Sequence, residues 1–228
     1  MKTILSTKKL SASQKKMFQN NTISVTDYNA IEIKSIDFES PKKVGYGIFT
    51  SQNAVKAFFS GHNRNASTIE TVFCVGEKTK SILEKNEQKV AKMMKNASEL
   101  ADFIKKTHKT DTFYFFCGNL RREEIPSSLK NEKITLFEVK TYETRLKTFK
   151  FDQKWSGILF FSPTGVTSFC MENDIENSAA FCIGKTTSSE AKKHSSNIFE
   201  AEKTTIESVL EKAISTLNKT KNDVSIET

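Results

Sequence analysis

Short apolar runs alternate with segments of helical period along almost the whole chain. Residues 3–6 have strand character, and "SASQKKMFQ" opens on a serine at position 11, as a capped helix does. Over 27–37, "DYNAIEIKSID" alternates apolar and polar positions, the period of a half-exposed strand. The pattern then predicts a strand over 44–49, a helix over 52–59, a strand over 71–75 and a helix over 78–85. A short strand near Val90 precedes "NASELADFIKK", where Asn96 and Ser98 are candidate caps and Glu99 stands three after Asn96. A strand over 112–117 leads into "GNLRREEIPSSLK", and "KITLFEVKTYETRL" is a second long extended stretch. The strand–helix pattern resumes from Trp155 and ends in an amphipathic helix over 205–217, with a frayed tail expected after Lys219.

Alternation of this kind predicts an α/β protein with parallel sheets covered by helices on both faces. The runs "GYGIF", "TFYFFC" and "GILFF" are apolar throughout, as strands buried on both sides are. One phrase occurs twice. "IFTSQNAVKAFF" is echoed by "LFFSPTGVTSFC", with Ser51 and Ser162 standing 111 positions apart, and "FCVGEKTKS" is echoed by "FCIGKTTSS" at an offset of 108. Two blocks repeated in the same order predict two copies of one α/β unit. The two long extended stretches bracket one copy. They predict a discontinuous layout, with 37–145 inserted into a domain made of 1–36 plus 146–228, and a two-stranded β linker at the crossing.

Composition narrows the class. The chain has 228 residues, 37% hydrophobic, with 18 Phe, enough for two cores, and only three Pro and eight Gly. Its four cysteines, Cys74, Cys117, Cys170 and Cys182, lie in apolar runs without CxxC spacing, which reads as reduced, buried thiols rather than metal ligands. Nothing approaches 18 apolar residues in a row, so a soluble, cytoplasmic protein with no membrane contact is expected. The formal charge of +8 comes mostly from Lys and favours polyanionic partners, although solvated lysine faces account for much of it. No aromatic–basic module of the nucleic-acid-binding type is present.

Ser51, Ser162, Gly76 and Gly184 fall at strand-to-helix turns, where ligands gather in open parallel sheets. A helix N-terminus there offers unpaired backbone N–H groups and a positive partial charge, which together make an anion site. Ser51, Ser162, Thr79 and Thr187 can equally be plain caps. Their repetition in both copies favours an anionic ligand held in a common cleft. "GKT" at 184–186 lacks the glycine that a P-loop needs five residues earlier, where Ala179 stands. The histidines His62, His108 and His194 have no paired-ligand spacing, and GxGxxG and GxSxG are missing, so any chemistry is expected to run without a cofactor or metal.

Together, "FFCGNLRREEIPSSLKNEKITLFEVKTYET", "IFTSQNAV", "CVGEKT", "FFSPTGV" and "CIGKTT" resemble uroporphyrinogen-III synthase. The resemblance spans about 49–205 and rests on the order and spacing of motifs that are individually weak. It implies two α/β domains, one inserted in the other, and a cofactor-free hydro-lyase of tetrapyrrole biosynthesis. The substrate would be hydroxymethylbilane, a linear tetrapyrrole with eight carboxylates, closed to uroporphyrinogen III with its last ring inverted and water lost. It further implies Tyr142 as proton donor or hydrogen-bond partner to the departing hydroxyl, and Arg122 as a carboxylate clamp. Ser51, Thr79, Asn119, Ser162 and Thr187 would serve as further carboxylate donors, and the state would be monomeric. The chain departs from the family pattern at Lys80 and Ser188, where Ala is common. The rival reading is a non-catalytic two-domain protein that closes on a small polyanion.

Overall fold

The computed structural model describes residues 1–175 and 177–222. The chain divides into two compact units, Met1–Glu32 with Leu146–Thr228, and Ile33–Arg145. The first crossing thus falls between Glu32 and Ile33, whereas the sequence pattern placed it after 36. Residues 223–228 of the expected tail lie outside the described residues.

The inserted unit is an α/β sheet with six strands: β3 (Ile31–Ser35), β4 (Lys43–Phe49), β5 (Thr68–Val75), β6 (Val90–Met94), β7 (Thr112–Gly118) and β8 (Thr135–Leu146). Their spatial order is β3-β8-β7-β4-β5-β6, and the five strands from β8 to β6 are parallel. Ile36 N–H donates to Thr141 O, and Lys147 N–H to Ala30 O, so β3 runs antiparallel to the end of β8. Helices α2 (Gln52–Phe59) and α3 (Glu77–Lys85) cover one face, where Phe49, Val55, Phe58 and Phe116 pack together. Helices α4 (Ala97–Thr107) and α5 (Glu124–Asn131) cover the other, over Ile48, Phe113, Phe115 and Leu129.

The discontinuous unit has five parallel strands: β1 (Lys2–Ser6), β2 (Ile23–Asp27), β9 (Gly157–Phe160), β10 (Ala179–Cys182) and β11 (Ile198–Glu200), in the order β11-β10-β9-β1-β2. Helices α6 (Pro163–Cys170) and α7 (Lys185–Ala191) lie over one face, and α1 (Ala12–Gln19) and α8 (Ile206–Asn222) over the other. All residues of β9 and β10 are buried, as their unbroken apolar runs predict. Strand β2 was not separable in the sequence pattern, which began its extended stretch at Asp27.

The two sheets have one topology. With β4, β5, β6, β7 and β8 numbered one to five, the spatial order is 5-4-1-2-3; with β9, β10, β11, β1 and β2 so numbered, it is the same. The chain therefore runs through the last two strands of one copy, all five of the next, then the first three of the opened copy. Each unit also ties the loop after its fourth strand to its fifth strand through an acid. Asp27 on β2 accepts from Leu10 N–H (2.8 Å) and from Lys15 (3.0 Å) and Lys9 (3.4 Å). Glu138 on β8 receives the guanidinium of Arg121 through both carboxylate oxygens.

Candidate active site

In a doubly wound sheet the crevice opens where successive crossovers leave in opposite directions, beyond the carboxyl ends of the strands. In the inserted unit that point lies between β4 and β7. A hollow of about 610 Å³ occupies it, floored by Phe115 and Ile125 and lined by Ser51, Gly118, Arg122 and Tyr142, with Lys95 and Asn96 on the side of α4. In the discontinuous unit the corresponding point lies between β9 and β1. There Thr7, 5% exposed, donates its hydroxyl to Leu159 O at 2.7 Å.

Local sequence explains each position. Ser51 ends the apolar strand β4 and caps α2 in extended conformation, its Oγ accepting from Asn53 N–H at 3.1 Å. The same oxygen lies 3.1 Å from the hydroxyl of Tyr142 on β8. Asn96 caps α4, accepting from Glu99 N–H at 2.8 Å, and Glu99 reaches back to Lys95 N–H at 3.2 Å. Ala97 and Ser98, first in the helix and with amides among those without an intrahelical acceptor, border the hollow.

The two arginines of "GNLRRE" differ sharply. Arg121 is held by Glu138 through two hydrogen bonds and by Glu123 through a third, and these carboxylates, Glu138 foremost, raise the pKa of its guanidinium. Arg122 is exposed, lines the hollow and makes no side-chain hydrogen bond or ion pair among the described residues; the same holds for the Lys95 ammonium. Glu124 is the acid on the lining, against these two unpaired cations.

The remaining expected residues are distributed otherwise. Asn119 is exposed and clamps β8, accepting from Thr144 N–H at 2.7 Å and donating to Thr144 O at 3.2 Å, so its amide extends the β7–β8 ladder. Thr79 and Thr187 occupy the third positions of α3 and α7 and are 5% and 1% exposed. Their N–H groups return to Gly76 O and Gly184 O at 3.1 and 3.0 Å. Ser162 caps α6 in the discontinuous unit, accepting from Gly165 N–H at 3.0 Å. The hollow thus gathers Ser51, Arg122 and Tyr142 and leaves out Thr79 and Asn119, while Ser162 and Thr187 belong to the other unit. Lys95 was missed by sequence reasoning. Its one visible signal is its place immediately before the Asn96 cap at a strand-to-helix turn.

Burial pushes the Cys117 thiol beside the hollow up to about 11, so it is not a ready nucleophile. No group of three or more His, Cys, Asp or Glu side chains is gathered as for a metal ion among the described residues. None of the described helices is long and apolar enough to cross a membrane.

Against this geometry, the profile of the Uroporphyrinogen-III synthase HemD family matches residues 14–211. The chain belongs to that family. No curated protein matches its sequence. Among solved structures, it is similar to uroporphyrinogen-III synthetase from Helicobacter pylori, at 18% identity and a TM-score of 0.69, covering 95% of this chain and 100% of that one. It is also similar to a mutant uroporphyrinogen III synthase from Thermus thermophilus, at 8% identity and a TM-score of 0.70, covering 96% and 100%. At these identities the structural likeness establishes the fold: two α/β units with parallel sheets, shared by members of the HemD family.

Proposed function

We propose that this HemD-family chain is a uroporphyrinogen-III synthase, a cyclising hydro-lyase that converts hydroxymethylbilane to uroporphyrinogen III. The observation that carries the reading is the Tyr142–Ser51 hydroxyl pair, 3.1 Å apart, at the rim of a hollow whose unpaired cations among the described residues are Arg122 and Lys95.

In this reading Arg122 and Lys95 hold substrate carboxylates, the former through its planar two-pronged donor set. The amides of Ala97 and Ser98 add donors at the positive end of α4. Tyr142 donates its proton to the terminal hydroxymethyl oxygen while Ser51 orients the phenol. The carbon–oxygen bond breaks as the pyrrole nitrogen lone pair moves in behind it, and the leaving group departs as water. The resulting electrophilic methylene is attacked by the substituted carbon of the last ring, giving a spiro intermediate. This intermediate reopens and closes again with that ring inverted, and loss of a proton restores the aromatic pyrrole and returns the acid. Unassisted closure gives the uninverted isomer, so the protein's contribution is chiefly to hold one reactive geometry.

The test is incubation of the purified chain with hydroxymethylbilane and chromatographic separation of the product isomers. The type III isomer is expected in excess. Accumulation of type I alone, at the uncatalysed rate, sinks the proposal.

A further inference from the structure

Tyr142 owes its place to its neighbours' backbone. The β7–β8 ladder pairs Cys117 with Lys140 and then Gly118 with Tyr142, so Thr141 is an extra residue on β8. Such a bulge reverses the alternation of side chains beyond it. Val139 is part of the core under α2, and in a regular strand residue 142, three positions on, would point to the opposite face. Tyr142 packs instead against the same cluster as Val139, the one covered by the helix that Ser51 caps. Thr141 is fully buried and donates its hydroxyl to Cys117 O at 3.3 Å, which anchors the bulge.

Gly118 supplies the second requirement. A Cβ at this position would lie 2.4 Å from Cζ of Tyr142 and 2.6 and 2.9 Å from its Cε2 and Cε1. All three nearest atoms belong to the hydroxyl end of that one ring. Glycine inside a strand is unfavourable and marks a close approach by another group; here that group is the phenol.

We propose that Gly118, with the one-residue bulge at Thr141, is the positioning element for Tyr142: the missing side chain is the seat on which the phenol rests, and it sets the hydroxyl against Ser51. The inference builds on the role given to Tyr142 above. Gly118 has no side chain to offer a substrate and acts through the ring.

The experiment is a double-mutant cycle of Gly118→Ala and Tyr142→Phe, assayed with hydroxymethylbilane and followed in parallel by near-ultraviolet circular dichroism, which reads the packing of the aromatic rings. Gly118→Ala is expected to lower kcat at least about 10-fold, the scale of a displaced general acid. KM should stay within about threefold, and in the Tyr142→Phe background the same change should cost no more than about twofold, because the two residues act as one unit. The aromatic signal lost in Tyr142→Phe should be altered in Gly118→Ala. That arm reads the seating directly and retains its meaning even if the wild-type chain yields no type III isomer, an outcome that removes the proposed function alone. Should Gly118→Ala fold poorly, Gly118→Ala/Tyr142→Ala restores room for the new methyl and should be as stable as Tyr142→Ala. The proposal is overturned if Gly118→Ala keeps full kcat with an unchanged near-ultraviolet signal. It is overturned equally if the two effects on kcat multiply independently, or if the added methyl destabilises the Tyr142→Ala protein as much as the native one.

Discussion

Arg121 and Arg122 are adjacent in sequence and opposite in circumstance, and their separate removal is the sharpest test of the site. Arg121 is 22% exposed and Glu138 32%, with a two-pronged contact between them and Glu123 adding a third. Partly exposed ion pairs contribute up to about 1 kcal/mol, and this geometry stands near the upper end. Arg121→Ala should therefore destabilise the protein by about 1 kcal/mol, a fall in Tm of roughly 2–4 °C for a chain of this size. It should leave KM for hydroxymethylbilane within about twofold, because two carboxylates already occupy its donors. Arg122 has no such partner to lose, so Arg122→Ala should change stability by less than about 0.5 kcal/mol. A hydrogen bond to a charged group is worth about 1.5–3 kcal/mol, so loss of its hold on a substrate carboxylate should raise KM by roughly 10- to 150-fold. Thermal melts and steady-state kinetics on the two variants give four numbers. An unchanged KM in Arg122→Ala, or a KM effect confined to Arg121→Ala, would refute the assignment.

Ser51→Ala and Ser162→Ala each remove a helix cap and should each cost about 1 kcal/mol in urea unfolding; only Ser51→Ala, which also strips Tyr142 of its partner, should lower kcat as well. Tyr142→Phe keeps the ring packing and loses one neutral hydrogen bond, so stability should fall by no more than about 1 kcal/mol while turnover slows only in part, and full retention of rate would remove the residue's role. Burial pushes Cys74, Cys117 and Cys170 up to about 11 and Cys182 to about 12, so folded protein at pH 8 should react slowly with a thiol reagent and keep its activity, whereas all four thiols should react in denaturant. Burial alone would raise the pKa of Asp27, but the bonds from Leu10 N–H and Lys15, with the charges of Lys15 and Lys9, outweigh it and hold the carboxyl below its ordinary value. A depressed folded-state pKa gives stability that is present above the unfolded value of about 3.9 and lost as pH falls through the folded one. Asp27→Asn should thus be less stable than wild type near neutrality, and the difference measured by urea unfolding should shrink as pH drops below about 4.

The repeat was legible because helix starts carry local chemistry. Ser51 and Ser162 must end an apolar strand and cap a helix, and Gly76 must take φ +83, so residue type and position are fixed together in the sequence. Fold class followed from the fully apolar runs at β4, β7 and β9, which alternation within one strand cannot disguise. Partnership across the sheet was not legible. Both arginines of "GNLRRE" look alike in one dimension; which of them is consumed depends on Glu138, 17 residues away on the neighbouring strand. Thr79 and Thr187 show the converse. Their place in the repeated phrase reads as ligand chemistry, while burial in the first turn of their helices is what only the fold shows. Tyr142 is the deepest case. Period-two reading assigns it the face opposite Val139, and only an inserted residue with no register partner on β7, visible in no composition or periodicity, returns it to the side of Ser51. Gly118 has the same origin: a glycine required by its neighbour's ring leaves no signature in its own segment. A hydroxyl brought to its face by a bulge and packed where a glycine leaves room is specified by pairing register, and register is a property of two strands that neither strand spells alone.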